Sequence, residues 1–525
     1  MLTLTGISRD HLAARPGATA FIAGDRRVSY AEFEAMGRRA ASWLHARGVG
    51  PGDRVAVWLV NRMEWLALLL GVARLGASLV AVNTRFRTAE LEYILRKSRA
   101  KMLVIQRGFR LIDFASVLEG ADPAAAAALE SVAVLDPGAD LPPKVLGRPT
   151  VAFDALDRDY PASPDHAAED AVLAMFTTSG TTKGPKLVMH TQKTVSLHAR
   201  RCATGYGFDR PGACLLGALP LCGVFGFSST LGAWAGGAPV VMMETYDGAK
   251  AAALMAEHKV THMFGGDELY RRLLEAAPGP RPFPGARLFG FAALAPGGNA
   301  VALEGLARGL PMAGLYGSSE VHALFTVQPA TLPPERRIEG GGFPASKDAE
   351  IRIRDVQTGE LAAPGASGDI EIRAPTNFTG YFDDPATTAE AIGADGFFRT
   401  GDVGKVLADG RFIYETRKGD AIRLAGFLVD PTEIEDAIKR DPAVAGAQVV
   451  AVDIGGEQRP VAFVIPAPGA APTEAGVIAG LRGVIAAFKV PARVWFVDAF
   501  PTTPSANGTK IQRGALRERA RSLLY

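Results

Sequence analysis

The segment Thr177-Thr178-Ser179-Gly180-Thr181-Thr182-Lys183-Gly184-Pro185-Lys186 lies between two apolar runs, at residues 171–176 and 187–189. This context predicts a strand, a loop and a second strand. The loop combines hydroxyls, glycines and two lysines, and therefore offers the backbone N–H groups, side-chain donors and positive charge that a polyphosphate requires. We interpret it as a triphosphate-binding loop, with a polar surface hairpin as the alternative.

The loop does not match the Walker motif. That motif, G-x-x-x-x-G-K-[ST], has a longer glycine spacing and a hydroxyl residue after its lysine. Here Gly184 is followed by Pro185, Lys186 and Leu187. The phosphate-binding loop is therefore predicted to be of another class.

Composition limits the classes of function. A chain of 525 residues is too long for one hydrophobic core, so two or more domains are expected. The 57 basic and 55 acidic residues give a formal charge of +2, which argues against a nucleic-acid partner. The cysteines, Cys202, Cys214 and Cys222, have neither metal-ligand nor disulfide spacing, and this favours a cytoplasmic location.

The N-terminus has no basic lead and no long apolar run, so no secretory signal is predicted. The longest apolar segment, residues 65–82, contains Arg74 and is interrupted by Gly71 and Gly76. We interpret it as a buried helix followed by a strand, and expect no transmembrane segment.

Apolar periodicity alternates along the first half of the chain. Ser29 and Glu32 form a predicted capping box that starts a helix. Predicted strands and helices then alternate, at residues 55–59, 64–75, 79–82, 88–98 and 102–105. This order predicts layered α/β subdomains. From about residue 340 short alternating runs predict a β subdomain, and the last hundred or so residues predict a compact α/β lid.

Two other segments resemble catalytic motifs only in part. His258 and His262 have zincin-like spacing but lack the intervening glutamate, and they straddle a predicted helix-to-strand change, so a metal site is not favoured. Neither residues 317–320 nor residues 226–228 match the G-x-S-x-G nucleophile elbow. A serine hydrolase is not supported.

Several separated motifs together resemble the adenylate-forming superfamily, which contains acyl-CoA synthetases, nonribosomal adenylation domains and beetle luciferase. The loop at 177–186 is similar to T-S-G-T-T-G-x-P-K, and Tyr316-Gly317-Ser318-Ser319-Glu320 is similar to Y-G-x-T-E. Arg399-Thr400-Gly401-Asp402, residues 416–435, and the P-x-G-K-I-Q-like segment at 504–512 follow in the family order. The resemblance runs from about Ser29 to the C-terminus, and the joint order is very specific.

The resemblance implies a fold, a domain division and a reaction. The fold is α/β: a large N-terminal domain of layered α/β subdomains plus a β subdomain, with a small mobile α/β C-terminal domain. The expected domains are residues 1–416 and 417–525, with a hinge near Gly419. The implied enzyme is an acid:CoA ligase that uses ATP, Mg²⁺ and coenzyme A and forms an acyl-adenylate. Its partners are these molecules and a small carboxylic acid, and a homo-oligomer stays open.

The resemblance also assigns roles to single residues. Glu320 is expected to ligate Mg²⁺, Asp402 and Arg417 to bind the ribose, and Tyr316 to offer a flat face to adenine. Lys510 is expected to bring its ammonium between the acyl carboxylate and the α-phosphate. The expected catalytic residues are Lys510, Glu320 and Thr181. The expected nucleotide-binding and CoA-binding positions are Thr178, Ser179, Gly180, Thr181, Thr182, Lys183, Gly184, Lys186, Tyr316, Gly317, Ser318, Ser319, Asp402, Arg417 and Gly426.

The sequence departs from the family pattern at four places. Lys183 stands where the second glycine of the phosphate loop is usual, and Gly419 replaces the usual Asp or Lys at the pivot. Gly223 replaces a histidine beside the acyl carboxylate, and two additional residues precede Lys510. Glycine permits large changes in φ and ψ, so we expect the C-terminal domain to be able to rotate at Gly419.

The implied acyl pocket is apolar. Its expected lining is Cys222, Gly223, Phe225, Phe227, Gly266, Ala292, Ala293 and Leu324, with Gly226 and Gly265 among the residues expected to leave room. No Lys or Arg occurs in these segments, which predicts an uncharged aliphatic or aromatic acid. A medium or long chain, as in fatty acid metabolism, is slightly favoured.

Two alternatives remain open. One is an enzyme that makes the same acyl-adenylate and loads it onto a carrier protein. The other, from a different class, is a regulatory protein that binds nucleotide without turnover. The presence of Glu320, Asp402, Arg417 and Lys510 argues against the second.

Overall fold

The chain divides into two compact units in the computed structural model. The structure describes residues 1–109, 114–136, 141–178, 186–293, 299–418, 422–424, 427–429, 431–455, 457–482, 484–485, 487–505 and 508–524. The first unit contains Met1–Ala292, Val301–Glu350 and Arg373–Phe398. The second contains Ala293–Ala300, Ile351–Ile372 and Arg399–Tyr525.

Helices and strands alternate through most of the chain. The helices are α1 Leu4–Ala14, α2 Tyr30–His45, α3 Met63–Leu75, α4 Thr88–Ser98, α5 Phe114–Glu119, α6 Gln192–Gly205, α7 Val224–Gly236, α8 Gly248–Glu257, α9 Asp267–Ala276, α10 Asn299–Ala307, α11 Pro334–Arg337, α12 Pro385–Ala391, α13 Pro431–Ile438, α14 Glu474–Leu481 and α15 Arg513–Leu524. Short 3-10 helices span Pro123–Ala126 and Ala487–Lys489.

The strands are mostly short, as is usual in α/β proteins. They are β1 Thr19–Ala23, β2 Arg26–Ser29, β3 Arg54–Trp58, β4 Ser78–Ala81, β5 Met102–Gln106, β6 Ser131–Leu135, β7 Lys144–Val145, β8 Arg148–Ala152, β9 Val172–Thr177, β10 Leu187–Thr191, β11 Leu215–Gly217, β12 Val240–Met242, β13 His262–Gly266, β14 Leu288–Ala292, β15 Met312–Ser318, β16 His322–Val327, β17 Gly341–Pro344, β18 Glu350–Arg354, β19 Gly368–Arg373, β20 Gly380–Tyr381, β21 Phe398–Val406, β22 Phe412–Arg417, β23 Ile422–Leu424, β24 Phe427–Val429, β25 Val444–Ile454, β26 Glu457–Pro466, β27 Val494–Phe496, β28 Thr502–Ser505 and β29 Gly508–Ile511.

The first unit is built on two mixed sheets. One has the order β20-β10-β9-β4-β3-β5-β6-β8-β7, in which β9, β4, β3, β5 and β6 run parallel. In the other, β17-β16-β15-β14-β13-β11-β12-β1-β2 lie side by side. Helices connect successive parallel strands, as crossovers in such sheets require. The predicted layered α/β fold is confirmed.

The two strands predicted on either side of the loop are present. Strands β9 and β10 pair antiparallel, with Leu187 opposite Thr177. The predicted capping box is also present, since the Ser29 and Glu32 side chains exchange hydrogen bonds with each other's backbone N–H at the start of α2. Asp122 caps the short 3-10 helix Pro123–Ala126 through its side chain, which accepts a hydrogen bond from the Ala124 N–H.

Helix α3 explains the longest apolar segment of the sequence. All of its residues except Glu64 and Arg74 are buried, against α2 and the sheet. Among the described residues, no helix combines the length and apolarity that crossing a membrane would need. Gly76 ends α3 with φ +66°, a conformation that glycine adopts without steric cost.

The second unit contains several small sheets. Strands pair in the order β18-β19-β21-β22, and β25, β26 and β27 form a three-stranded sheet that is covered by α13, α14 and α15. A buried ion pair fixes this part, because the Glu435 carboxylate accepts hydrogen bonds from Arg513 Nη2 at 2.7 Å and from the Val449 backbone N–H at 2.9 Å. Such a pair is stable only when its remaining groups are also hydrogen-bonded.

Close packing of α2 on α3 depends on Gly37. A Cβ at this position would lie 2.7 Å from Leu70 Cβ, which cannot move without its backbone. We expect Gly37→Ala to lower the free energy of unfolding by about 1–3 kcal/mol, because overpacking strains both helices. Chemical denaturation followed by tryptophan fluorescence measures this. Gly17→Ala, where no atom lies within 4 Å, is the matched control, and equal effects of the two would contradict the prediction.

Candidate functional site

Part of the predicted site lies outside the described residues. Ser179, Gly180, Thr181, Thr182, Lys183 and Gly184 of the loop belong to this group, as do Gly419 and Gly426. The backbone of Lys510 lies in β29, opposite Thr503 of β28, and its side chain is outside the described part. Roles assigned to these residues stay predictions.

The two ends of the loop are held together. The Thr178 backbone N–H donates to the Lys186 carbonyl at 3.0 Å, and the Lys186 N–H donates to Thr178 Oγ1 at 3.4 Å. The Lys186 ammonium lies 4.6 Å from the centre of the Tyr381 ring, which is a cation–π contact. Thr178 and Lys186 therefore form a hydrogen-bonded pair, called here the neck of the loop, and the Lys186 side chain is held beside Tyr381.

Glu320 lies on the turn between β15 and β16. Its Oε1 accepts a hydrogen bond from Tyr381 Oη at 3.0 Å, and its carbonyl accepts from the Phe378 N–H at 2.8 Å. Within the part of the chain that the structure describes, no basic side chain forms an ion pair with Glu320. A half-buried carboxylate without a cationic partner fits a divalent metal ion, and Mg²⁺ characteristically takes one or two carboxylates together with phosphate oxygens and water. Tyr381 thus connects Lys186 to Glu320.

The Tyr316–Glu320 segment leaves the end of β15. Tyr316 is buried, and the turn that follows pairs Ser318 with His322 of β16. A Cβ on Gly317 would lie 2.3 Å from the Ala323 carbonyl oxygen, so only glycine allows this turn to pack. Ser319 contributes its carbonyl, which lies 2.7 Å from His190 Nε2. The segment is fixed from both sides.

In the second unit, Asp402 and Arg417 face each other across β21 and β22. Arg417 Nη1 lies 3.2 Å from Asp402 Oδ1, and the Asp402 carboxylate is almost completely buried while Arg417 is more than half exposed. Thr400 Oγ1 accepts a hydrogen bond from the Asp402 N–H at 3.0 Å, and Gly401 between them has φ +72°. The pair offers acceptor and donor atoms side by side, the combination that two vicinal hydroxyls need.

The predicted acyl-pocket residues of the first unit are mostly buried. Phe227 packs edge-to-face on Phe176 at 5.0 Å between ring centres, and Phe225 lies on Phe264 at 6.3 Å. Cys222, Gly223, Gly266 and Leu324 are buried, Ala292 is half-buried, and exposed Ala293 is the first residue of a second-unit segment.

Gly226 serves close packing. A Cβ there would lie 2.3 Å from the Pro220 carbonyl, so Gly226 does not leave the room that the sequence suggested. The Asn61 side chain holds the same segment: it donates to the carbonyls of Leu219 and Met243, at 2.8 and 3.0 Å, and accepts from the Leu221 N–H at 2.7 Å. All the hydrogen bonds of this buried amide serve to position backbone.

Three stacked histidines were not anticipated from the sequence. The His322 ring lies between His190, at 3.9 Å between ring centres, and His198, at 4.3 Å. His198 Nε2 also lies 3.2 Å from Cys202 Sγ. The three rings come from β10, α6 and β16, and no sequence spacing connects them. His322 has φ +62°, a left-handed conformation that histidine tolerates better than most side chains.

The histidine stack is uncharged near neutral pH. Burial lowers the pKa of His190 to about 4, and burial together with the neighbouring His190 lowers the pKa of His198 to about 3. Burial and both neighbouring rings hold the pKa of His322 well below its usual value. Among the described residues, no group of three or more His, Cys, Asp or Glu side chains has the arrangement of a metal site. The stack is therefore a neutral polar cluster.

Comparison with known proteins gives consistent results. The family described as AMP-binding enzyme matches residues 8–382, and the family described as AMP-binding enzyme C-terminal domain matches residues 433–507. The 3-hydroxybenzoate--CoA ligase of Aromatoleum sp. (strain CIB) is 31% identical, over 95% of this chain and 93% of its own. The fatty acid--[acyl-carrier-protein] ligase ScoC of Streptomyces coeruleorubidus is 30% identical, over 98% and 96%. The crystal structure of ATP-bound MatB from Rhodopseudomonas palustris superimposes with a TM-score of 0.83 at 27% identity, covering 99% of both chains.

We expect the histidine stack to titrate far below neutral pH. Because the folded-state pKa values are lowered from about 6.5, the stack supports folding fully above pH 6.5 and loses this contribution as the pH falls toward about 4. ¹³C-histidine NMR, with signals assigned by His190→Asn and His198→Asn, measures the midpoints. A midpoint above pH 6 for either residue would contradict the prediction.

Proposed function

Because this chain belongs to the family of AMP-binding enzymes, we propose that it is an ATP-dependent, AMP-forming ligase that joins a carboxylic acid to coenzyme A through an acyl-adenylate. The match extends over both family segments, and relatives named CoA ligases align over nearly the full length of this chain. The geometric observation that carries the proposal is the carboxylate of Glu320, which lacks an ion-pair partner among the described residues and is joined through Tyr381 to Lys186 at the neck of the loop.

The reaction requires two anions to approach each other. A carboxylate oxygen of the acid attacks the α-phosphorus of ATP, and the bond to pyrophosphate breaks. The thiol of coenzyme A then attacks the acyl carbon, and AMP leaves. When bound, Mg²⁺ neutralises phosphate charge. The protein supplies the remaining charge compensation and the orientation of both substrates.

We assign the first-unit residues to the phosphates and the metal ion. Thr178, Lys186 and the loop between them bind the β- and γ-phosphates, and Glu320 ligates Mg²⁺ while Tyr381 Oη orients its carboxylate. We also assign Tyr316 to the adenine, to which its ring would offer a flat face. Support comes from the closed neck of the loop and from the fixed turn at Gly317.

We assign the second-unit residues to the ribose and the reacting centre. Asp402 accepts from the ribose hydroxyls, Arg417 donates to them, and Lys510 compensates charge at the α-phosphate. The proposed mobile domain comprises residues 417–525, with its hinge near Gly419, and Gly426 borders the coenzyme A channel. Rotation of this domain would withdraw Lys510 between the two half-reactions.

The substrate acid is proposed to carry no charge other than its reacting carboxylate. Aromatic acids are favoured over aliphatic ones, because two relatives are named as hydroxybenzoate--CoA ligases. A carrier protein in place of coenzyme A is the second candidate, because ScoC is named as a ligase for an acyl carrier protein.

A cytoplasmic location is proposed because Cys202, Cys214 and Cys222 are all free and buried. Burial raises the pKa of Cys214 to about 12, which makes it unreactive.

A ligation screen tests this function. Purified protein is incubated with ATP, Mg²⁺, coenzyme A and a library of carboxylic acids, and AMP release is measured. Release that requires both an acid and coenzyme A is the expected result. Acid-dependent pyrophosphate exchange without coenzyme A-dependent release would favour the carrier-protein alternative, and no exchange with any acid would favour a non-catalytic nucleotide-binding protein.

We expect Lys510→Ala to slow acyl-adenylate formation by roughly 100- to 1000-fold, since a lost transition-state contact of this kind costs about 3–4 kcal/mol. Acid-dependent pyrophosphate exchange measures the step. Arg521→Ala is the matched control, because Arg521 is an exposed cation of α15 in the same unit and pairs with Glu518 at 2.7 Å. Undiminished exchange in Lys510→Ala would refute the assigned role.

A further inference from the structure

Beside the histidine stack, several buried polar atoms lack a hydrogen-bond partner. Within the described part of the chain these are both ring nitrogens of His322, the Nδ1 of His190 and the Ser228 hydroxyl. His322 is 1% exposed and Ser228 is 2% exposed. Native proteins rarely leave such groups unsatisfied, because each costs about 1–3 kcal/mol. A partner that supplies the missing hydrogen bonds is therefore expected.

Two of the residues that carry these atoms, His322 and Ser228, line one narrow gap. His322, His198 and Ser228 form its polar wall, and Phe227 belongs to its apolar wall, which consists of Val195, Ala199, Phe227 and Leu231. The gap has no space for a water molecule in this arrangement, so water does not satisfy these groups. A ligand that reaches them needs a side-chain rotamer change in the wall, which commonly accompanies binding.

The location of the gap connects it to the proposed acyl site. Phe227 is one of the residues that the sequence assigns to the acyl pocket, and His322 follows Glu320 by two positions. The hydrogen bond between His190 Nε2 and the Ser319 carbonyl ties the stack to the same segment. We therefore expect a ligand group that enters the gap to be a substituent on the acyl part of the substrate.

The chemistry of the wall selects the kind of group. The lining of the gap contains no Lys, Arg, Asp or Glu, so a charged group would be buried there without an oppositely charged partner. Imidazole nitrogens can donate or accept hydrogen bonds according to the tautomer, and the serine hydroxyl can do both. The matching group both donates and accepts, as a hydroxyl does.

We propose that His322 and Ser228 recognise a hydroxyl group on the acyl part of the substrate, so that the enzyme selects hydroxylated acids over their unsubstituted parents. This rests on the proposed ligase function and makes both residues determinants of specificity. It also changes the sequence-based expectation, in which the pocket was apolar throughout.

Pairs of acids test the proposal. The ring-hydroxylated benzoates and benzoate, and 12-hydroxydodecanoate and dodecanoate, are compared by kcat/KM for coenzyme A-dependent AMP release. We expect at least one hydroxylated acid to exceed its parent by about 10- to 100-fold, the effect of two hydrogen bonds to otherwise unpaired groups. If every parent acid reacts as well as its hydroxylated partner, the proposal is overturned while the ligase function stands. If no acid releases AMP, the ligase function fails, and this proposal fails with it.

Single substitutions test whether His322 and Ser228 cause the preference for hydroxylated acids. Ser228→Ala and His322→Asn are each expected to reduce the preference ratio by about threefold or more, and asparagine tolerates the left-handed backbone of position 322. Ser229→Ala is the matched control, because Ser229 Oγ already donates to the Gly226 carbonyl at 3.1 Å. The ratio of two acids within one variant cancels a general loss of folded enzyme. An unchanged ratio in both Ser228→Ala and His322→Asn would refute the assignment.

Discussion

The hydrogen-bonded pairing of β10 between β9 and β20 is the constraint on which the first-unit site depends. Its pairing with β9 closes the neck of the hydroxyl-rich loop, and its pairing with β20 brings Tyr381 to Lys186 and Glu320. Thr191, the last residue of β10, caps α6. One strand of five residues thus positions the end of the loop at Lys186, the Glu320 carboxylate and the helix that carries His198.

The site combines two kinds of electrostatic arrangement. Two ionisable side chains, Lys186 and Glu320, are held near the turn by their contacts with Tyr381. Deeper in the unit, the histidine stack is kept uncharged by burial, so it adds polarity without adding charge. A neutral interior next to a charged rim permits an acid to present its carboxylate at one end and an uncharged body at the other.

Local signals in the sequence predicted much of the fold. The capping box at Ser29, strands β9 and β10 and the bounds of α4 are visible in residues that are neighbours in the chain. The Tyr316–Glu320 motif was also visible, but its contacts to Tyr381 and His190 were not, because these residues meet only when the sheet is assembled. The histidine stack was not predicted for the same reason, since its three residues are distant from one another in the chain. The prediction that Gly226 leaves room in the acyl pocket was wrong, because the sequence does not distinguish a glycine that opens space from one that permits close packing.

The left-handed backbone of His322 also limits how this protein can change over time. Asparagine, aspartate and glycine are the other residues that accept such a conformation readily, and β-branched or bulky apolar residues do not. Histidine codons reach those for asparagine and aspartate by one base change, whereas glycine needs two. Drift at this position therefore runs through small polar residues, and a lineage that acquires a purely hydrocarbon-binding pocket must first remodel the turn.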